Sequence, residues 1–436
     1  MKIIQADDAG FAEFFHKLRQ RGGGFSAKLL VTVADIISEV SVKGDEALFD
    51  YTAKFDGHQL TATTVEVTDQ ERKDALALVA ADDLEVIKLA ARRIKDYHRY
   101  QITQGYMVSS EVGVELGQIV LPLQRVGIYA PGGKAFYPST LLMAAIPARI
   151  AGVEEIILVT PSKDGKLNPL IAAAAEVSGV QRIFKIGGAQ AIAALAYGTK
   201  TIPRVDKIVG PGNAYVAAAK KLVFGQVAID MIAGPSEVVI IADKTASASF
   251  VAADMLAQAE HDEMAAAVFL TTLPDLAREV SLQIERQLQT LPRKKIIEES
   301  LVKYGAIIIT ADIAQAVELA NEFAPEHLEL MVEDPAEILK QVRNAGSVFL
   351  GSFTPEALGD YTAGTNHILP TQGTARFSSP LGVYDFYKRM SVLSFSQQAF
   401  SRLSQKTAHF AKIEGLEAHA NSVIVRSNYV HDESNK

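Results

Sequence analysis

The chain changes character at Val126, where it reads VGIYAP (126–131), STLLMAAIPARIAG (139–152) and EEIILVTPS (154–162). Short β-branched runs alternate there with Ala-rich segments, and Gly or Pro separates them. The alternation continues through NPLIAAAAEVSG (168–179), QRIFKIGG (181–188), AQAIAALAYG (189–198), DKIVGPG (206–212) and NAYVAAAKKLVFG (213–225). Strand, turn and helix in this order predict a parallel sheet covered by helices.

A second series with the same pattern starts at Glu237. It comprises EVVIIAD (237–243), ASFVAADMLAQAEHDEM (248–264), AAVFLTT (266–272), PDLAREVSLQIERQL (274–288), AIIITAD (306–312), IAQAVELANEF (313–323) and AGSVFLG (345–351). We therefore predict an α/β fold with two similar, incomplete Rossmann-like parallel-sheet domains. Helical segments are expected at both ends of the chain.

The predicted boundaries follow from these two series. Residues 1–25 form an N-terminal helical segment, 26–128 with 237–380 a discontinuous first α/β domain, 129–236 a second α/β domain, and 381–436 a helical tail. The tail contains FYKRMSVLSFSQQAFSRLSQKTAHFAKIEG (386–415), which predicts an amphipathic helix. Its apolar stripe must be buried either on this chain or on another subunit.

Composition excludes several classes of protein and of site. The 436 residues carry a formal net charge of -8, which argues against a nucleic-acid partner. The N-terminus lacks a signal-peptide pattern and no apolar run reaches membrane length, so we expect a soluble, cytoplasmic protein without a membrane partner. The chain has no cysteine. A metal site must then use His, carboxylate, amide or water ligands, and no catalytic thiol is available.

Three glycine-containing loops replace the GxGxxG fingerprint, which is absent from the sequence. They are YAPGGKAFYPST (129–140), IGGAQA (186–191) and GPGN (210–213). Each follows a predicted strand, at the sheet edge where open α/β proteins bind ligands. Any one of them is also compatible with a tight βα turn that binds nothing. Together the three loops favour a cofactor site, with a dinucleotide as the candidate.

Histidines and carboxylates mark the remaining candidate sites. Gln258 and His261 are three residues apart and share a helix face. They are either metal ligands or ordinary surface residues. Pro325 predicts a helix start that places Glu326 and His327 in the first turn. That position lowers the pKa of His327, which suits a proton acceptor beside a second acid–base group. An ordinary helix start is the alternative.

The other candidates are less distinctive. Asp360 and His367 lie in GDYTAGTNHILPT (359–371), a polar loop predicted to face either a pocket or solvent. Glu414 and His419 flank Gly415 and share one side only if the helix breaks there; otherwise they form a solvated helix end. Ser236 is placed at a predicted βα junction, as a hydrogen-bond donor or a helix cap. Five histidines are assigned to surface or core roles: His16, His58, His98, His409 and His431.

Taken together, these segments resemble the histidinol dehydrogenase family. The shared stretches are YAPGGKAFYPSTLLM (129–143), VDKIVGPGNAYVAAAKK (205–221), DMIAGPSEV (230–238), LAQAEHD (256–262), NEFAPEHLEL (321–330), GDYTAGTNHILPT (359–371) and EGLEAHANSV (414–423). The resemblance implies a homodimeric, NAD-linked enzyme of histidine biosynthesis with one Zn²⁺ per subunit. It would oxidise L-histidinol through L-histidinal to L-histidine. The first hundred residues resemble the family only in their general residue pattern, without a shared motif.

The resemblance also implies residue roles. Glu326 and His327 become the acid–base pair. Zinc ligands would be Gln258, His261, Asp360 and His419. Substrate contacts would come from Ser236, Gln258, His261, His327, Asp360, His367, Glu414 and His419. The NAD site would be lined by Tyr129, Gln190 and Asn213. The tail would reach the partner subunit, so that Glu414 and His419 complete the other subunit's site.

The absence of cysteine bears on the second oxidation, because a thiohemiacetal cannot form. Hydration of the aldehyde to a gem-diol is the remaining route, with Glu326 activating water and His327 deprotonating the diol. Two other classes of function compete with this hypothesis. A zinc metallohydrolase predicts no NAD dependence. A non-catalytic NAD- or metabolite-sensing module predicts that ligand binding survives the loss of Glu326 and His327.

Overall fold

The computed structural model describes residues 1–21, 24–132, 137–162 and 164–434. Its contacts divide the chain into two compact units. The first unit comprises Met1–Gln101 with Leu123–Phe386, and the second comprises Ile102–Pro122 with Tyr387–Lys436. Within the described part of the chain, no helix combines the length and the apolar composition that a membrane crossing requires.

The N-terminal hundred residues are mostly helical. The elements are β1 (Lys2–Gln5), α1 (Phe11–Arg19), α2 (Ala27–Lys43), α3 (Asp45–Asp56), α4 (Asp69–Leu76) and α5 (Ala81–His98). Ser26 caps α2 by accepting the Leu29 N–H, and Thr68 with Glu71 forms a capping box on α4. The strands β2 (Tyr106–Glu111) and β3 (Val114–Pro122) follow and belong to the second unit.

The first parallel sheet has five strands and follows the predicted pattern closely. Its elements are β4 (Arg125–Tyr129), α6 (Pro138–Ala151), β5 (Glu155–Val159), α7 (Pro169–Ser178), β6 (Arg182–Phe184), α8 (Gly188–Tyr197), β7 (Lys207–Val209), α9 (Ala214–Val223) and β8 (Ala228–Ile229). The strand order is β6-β5-β4-β7-β8, with every pair parallel. Ile156, Ile157 and Leu158 are fully buried, as expected of a strand covered on both faces.

The second parallel sheet has six strands. Its elements are β9 (Glu237–Ala242), α10 (Ala248–Ala259), β10 (Ala266–Thr271), α11 (Pro274–Leu288), α12 (Lys294–Tyr304), β11 (Gly305–Ile309), α13 (Ile313–Phe323), β12 (His327–Met331), α14 (Pro335–Leu339), β13 (Ser347–Leu350) and α15 (Glu356–Tyr361). The order is β1-β11-β10-β9-β12-β13, again parallel throughout.

The two sheets share one topology. From β4 and from β9, the strands lie in the order third, second, first, fourth, fifth. This is the Rossmann order without its last strand, which confirms the prediction of two similar, incomplete Rossmann-like sheets. Strand order reverses between β4 and β7 in one sheet and between β9 and β12 in the other. The strand β1 extends the six-stranded sheet by pairing with β11.

The structure differs from the predicted assignment of residues 26–128 to the domain of residues 237–380. Helix α2 packs on α8 and α9, and α5 packs on α6 and α7, so both cover the five-stranded sheet. Strand β4, which begins at Arg125, also belongs to that sheet. An apolar helix face in a sequence shows that the helix is covered but does not show by what.

The second unit is an antiparallel sheet with two helices. Its later elements are β14 (Tyr387–Phe395), α16 (Gln397–Ile413) and α17 (Glu417–Ser434), and its strand order is β14-β3-β2. The predicted helical segments at the two ends are present as α1, α16 and α17, and the strands β1 and β14 were not predicted. The helix does break at Gly415, which has φ at 74° and separates α16 from α17, so the condition for Glu414 and His419 to share one side is met.

Candidate active site

A cavity of about 1070 Å³ lies inside the first unit. One wall comes from the carboxyl edge of the five-stranded sheet, with Pro131, Gly210 and Asn213. The other comes from the amino edge of the six-stranded sheet, with Ser236 and His327. Open α/β sheets usually bind ligands only at carboxyl edges. The acid–base candidates here lie at the opposite edge, at the starts of β9 and β12.

His327 is the first residue of β12 and is 3% exposed. Its Nδ1 lies 3.1 Å from the Glu237 carbonyl oxygen, so Nδ1 carries the hydrogen and donates it. Nε2 makes no hydrogen bond to the described residues and lies 3.8 Å from Asp360 Oδ1. Burial lowers the pKa of His327 to about 4. The ring is therefore neutral near pH 7, with a free lone pair on Nε2.

The predicted helix start at Pro325 is wrong. Helix α13 ends at Phe323, Ala324 adopts a left-handed conformation with φ at 52°, and the chain then enters β12. The low pKa of His327 has the predicted direction but another cause. Burial of the imidazole against the sheet disfavours the imidazolium form, and no helix dipole is needed.

Glu326 precedes His327 and is also buried. Its Oε2 accepts the backbone N–H of Glu237 at 3.0 Å and lies 3.8 Å from His327 Nδ1. Burial, followed by the negative charge of Glu237, raises the pKa of Glu326 well above its usual value. A carboxyl with a raised pKa next to an imidazole with a lowered pKa forms a pair suited to general acid–base work.

A metal-capable cluster lies close to His327. Ligand atoms of His261, Glu356 and Asp360 are within 4.8 Å of one another. His261 lies two residues beyond the end of α10, and its Nδ1 donates to the Ala257 carbonyl at 3.1 Å. Its Nε2 is thereby oriented as a ligand, which is the arrangement usual for metal-binding histidines. An imidazole with carboxylates suits zinc.

Gln258, in the last turn of α10, is completely buried beside this cluster. With its amide nitrogen facing Glu356, it donates to the two carboxylate oxygens at 2.9 and 3.0 Å. This orientation satisfies the NH₂ group and frees the amide oxygen for a cation. Asp360 lies in the short helix α15 and not in the predicted loop. The structure thus brings Gln258, His261 and Asp360 together around Glu356.

The carboxyl edge of the five-stranded sheet holds the cofactor candidates. Asn213 lines the cavity and caps α9, since its Oδ1 accepts the N–H groups of Tyr215 and Val216. Tyr129 is buried, and its hydroxyl accepts the Gly188 N–H at 3.3 Å. Burial raises the pKa of Tyr129 to about 12, so the hydroxyl stays protonated.

Gln190 is 1% exposed, and neither polar atom of its amide has a partner among the described residues. Buried amides are rarely left without hydrogen bonds, so this one fits a ligand at the edge. Gly210 has φ at 110°, and a Cβ there would lie 2.2 Å from the Tyr129 carbonyl oxygen. All three glycine loops follow strands as predicted, although residues 133–136 of the first lie outside the described residues.

Comparison with known proteins assigns the family. The histidinol dehydrogenase family model matches residues 20–427. The chain is 52% identical to the histidinol dehydrogenase of Syntrophotalea carbinolica, covering 98% of this chain and 99% of that one. It is 49% identical to that of Geobacter sulfurreducens, covering 98% and 100%. The crystal structure of histidinol dehydrogenase from Elizabethkingia anophelis matches with a TM-score of 0.91, 38% identity and coverage of 99% and 98%.

The chain belongs to the histidinol dehydrogenase family. The predicted resemblance is confirmed, and the match extends into the N-terminal hundred residues, where no motif was recognised. Membership in the histidinol dehydrogenase family makes the chain an enzyme of the oxidoreductase class. The alternatives of a metallohydrolase and of a non-catalytic sensing module are thereby removed.

Two further residues assigned from the histidinol dehydrogenase resemblance line the cavity. Ser236 directly precedes β9, so its predicted place at a βα junction is wrong. Its hydroxyl group lowers the pKa of Glu326, against the larger effect of burial. His367 uses both ring nitrogens: Nδ1 donates to the Asp360 carbonyl at 2.8 Å, and Nε2 accepts from Thr140 Oγ1 at 3.0 Å. His367 therefore joins α15 to α6.

Glu414 and His419 lie in the second unit, Glu414 directly after α16 and His419 within α17. Sequence reasoning missed Glu356, which lies in the metal-capable cluster. Burial, followed by the charge of Asp360, raises the pKa of Glu356 well above its usual value. Its spacing of four from Asp360 puts both carboxylates on one helix face, and this was the available signal.

Proposed function

We propose that the chain catalyses the NAD-linked, four-electron oxidation of L-histidinol through L-histidinal to L-histidine, the last two steps of histidine biosynthesis, in the cytoplasm. The observation that carries this proposal is the buried pair Glu326 and His327, beside a metal-capable cluster and opposite a Rossmann-like sheet edge. The substrate follows from the relatives, which are named histidinol dehydrogenases.

The donor set supports one zinc ion per subunit, held by Gln258, His261 and Asp360 together with His419 of the partner subunit. The supporting observations are the free Nε2 of His261 and the ligand atoms gathered within 4.8 Å. Bound zinc would coordinate the amine and imidazole of the substrate and so orient the reacting carbon. Glu356, which accepts both N–H bonds of the Gln258 amide, is proposed to hold that amide in its ligating orientation.

NAD is proposed to bind at the carboxyl edge of the five-stranded sheet, against Tyr129, Gln190 and Asn213. The unpartnered amide of Gln190 and the close approach of Gly210 to the backbone of β4 support this placement. Each NAD accepts a single hydride, so the four-electron oxidation consumes two in succession.

The chain's own residues would move the protons. His327 takes the hydroxyl proton of histidinol on Nε2, while its Nδ1–H stays bonded to the Glu237 carbonyl. Glu326 then takes a proton from a water that adds to the aldehyde, while His327 returns its proton to the aldehyde oxygen, which gives the gem-diol and leaves His327 neutral again. His327 takes a proton from this diol as the second hydride leaves. Ser236, His367 and Glu414 are proposed to contact the substrate beside the metal ligands and His327.

A homodimer is proposed, in which the tail of one subunit reaches the other. The second unit exposes large apolar side chains that a partner subunit would cover: Leu393, Phe410, Ile413 and Val425 are each more than half exposed. In this arrangement Glu414 and His419 complete the partner's site.

The test is a count of NADH formed from limiting L-histidinol with excess NAD and zinc-loaded protein. Two NADH per histidinol are expected, lost on chelation and restored by Zn²⁺. The absence of NADH would contradict the proposal. A single NADH per substrate would mean that oxidation stops at the aldehyde.

A further inference from the structure

The backbone of one residue holds both members of the acid–base pair. Glu237 is the first residue of β9. Its N–H donates to Glu326 Oε2 at 3.0 Å, and its carbonyl accepts from His327 Nδ1 at 3.1 Å. A displacement of this residue would therefore move both groups relative to the substrate.

The side chain of Arg21 reaches the same segment from the N-terminal region. It follows α1 and is completely buried. Its Nη2 donates to the carbonyls of Pro235 and Ser236 at 3.3 and 3.4 Å and forms an ion pair with the Glu237 carboxylate. One guanidinium thus binds three consecutive residues that lie more than 200 positions later in the chain.

A second segment closes the network around Glu237. The N–H of Gln372 donates to Glu237 Oε1 at 3.0 Å, and the Gln372 side-chain amide donates to the Arg21 carbonyl at 2.9 Å. Thr371 Oγ1 accepts the Gly234 N–H at 2.7 Å. Buried ion pairs are a costly means of adding stability, because both charges lose their hydration. A network of this kind is better explained by the position it fixes.

We propose that Arg21 is a positioning residue for the acid–base pair. It acts through Pro235–Glu237, which it holds so that the Glu237 backbone keeps Glu326 and His327 in place. The inference rests on the roles proposed above for Glu326 and His327. A guanidinium suits this position because two of its nitrogens are held: Nε donates to the Met264 carbonyl at 3.3 Å, while Nη2 binds Pro235–Glu237. A single ammonium nitrogen cannot occupy both places.

The decisive variant is the double substitution Arg21→Met/Glu237→Gln. The single Arg21→Met leaves a buried carboxylate unpaired and is expected to lose stability. The double variant removes both charges, and Gln at 237 still accepts the Gln372 N–H. Arg19→Met is the matched control, since Arg19 lies two residues earlier and pairs with Glu322. Arg21→Lys tests whether a positive charge alone is enough to hold Pro235–Glu237 in place.

We expect the double variant to keep its thermal midpoint, its zinc content and a KM for histidinol within a few-fold of the parent. Its kcat should fall by about 10²-fold, the cost of misplacing catalytic groups by about 1 Å. Arg21→Lys should also lose kcat without losing stability. Recovery of kcat together with the thermal midpoint in the double variant would show a purely structural role and overturn the inference.

A crystal structure of the double variant provides a readout that does not depend on turnover. Loss of one or both hydrogen bonds from the Glu237 backbone to Glu326 and His327 is expected. Retention of both at their present lengths would refute the inference. If the parent and Arg19→Met form no NADH, the proposed function fails instead, and the crystal structure still decides the role of Arg21.

Discussion

The three histidines of the cavity differ in whether a ring nitrogen is left without a partner among the described residues, and in what surrounds that nitrogen. His327 and His261 donate from Nδ1 to backbone carbonyls and leave Nε2 open. His367 has both nitrogens engaged, with Asp360 and Thr140. In the buried His327, a free Nε2 suits proton transfer. In His261, the free Nε2 lies next to the carboxylates of Glu356 and Asp360 and suits metal binding. The backbone carbonyls thus determine what each imidazole can do.

These differences predict separable effects of two substitutions. His261→Asn should lose zinc and turnover together, because a ligand is removed. His327→Asn should retain zinc and lower kcat by about 10²- to 10⁴-fold, the usual contribution of a general base. Metal content and steady-state rates of purified proteins measure both effects.

His16→Asn, at an exposed histidine of α1, is the control and should change neither quantity. If purified His327→Asn contains no zinc, the imidazole of His327 is itself part of the metal site, and this division of roles is wrong.

Among single residues, the sequence predicted the candidates better than their surroundings. Gln258, His261 and Asp360 were grouped through the family resemblance, and their side chains lie together around Glu356. Glu356 was missed because carboxylates four residues apart are common on exposed helices; its burial against Gln258, which gives it importance here, is not visible in that spacing. The low pKa of His327 was predicted from a helix start that does not exist, and burial in β12 produced the same direction.

The strand β12 is the element on which sequence reasoning failed most clearly. Pro325 and Glu326 directly precede it, and a proline followed by an acidic residue is also typical of a helix start. The alternation of Leu328 and Leu330 with Glu329 in fact fits a strand, but a buried carboxylate in a central strand is unusual. By contrast, β4 to β7 and their helices were predicted because Gly and Pro separate every element.

The start of α9 yields a prediction about the glycine loop of residues 210–213. A Cβ at Gly212 would lie 2.4 Å from Val216 Cγ1, so Gly212→Ala must displace the loop or the helix. We expect NAD to bind at least about tenfold more weakly, or about 1.4 kcal/mol, with zinc content unchanged. Titration of NADH binding by fluorescence measures this.

The added methyl group would also lie 2.5 Å from Val216 Cβ, so only glycine at 216 removes the clash. The double variant Gly212→Ala/Val216→Gly should therefore recover most of the affinity, with Val216→Gly alone as the reference. Equal weakening in the single and double variants would mean that the loop tolerates the methyl group and that another property of Gly212 matters.

For the whole molecule, the sequence predicted two duplicated parallel sheets but not the packing of the N-terminal helices. Repetition of strand and helix is visible in local composition. The choice between two similar sheets for α2 and α5 depends on complementary surfaces, which a single sequence does not display. The strands at the ends of the chain were missed for a related reason, because β1 and β14 are strands only through their partners β11 and β3.

The proposed dimer predicts complementation between two inactive variants. Co-expressed His327→Asn and His419→Asn chains should regain about a quarter of the parent activity, because half of randomly formed dimers are mixed and each holds one complete site. The measurement is the NADH rate of the purified mixture against each variant alone.

Mixing His327→Asn with Glu326→Gln is the matched control and should stay inactive, since both residues belong to the first unit. If His327→Asn and His419→Asn together also stay inactive, each site is built from one chain and the proposed sharing of the tail is wrong.

The opposite use of the two sheet edges limits how this scaffold can be re-engineered. The sheets have the same strand order, so β7 is the topological counterpart of β12. A graft of the Pro325–Met331 segment onto β7 would nevertheless place its acid–base groups at the amino end of that strand, away from the cavity. The two halves are thus alike as modules but are not interchangeable.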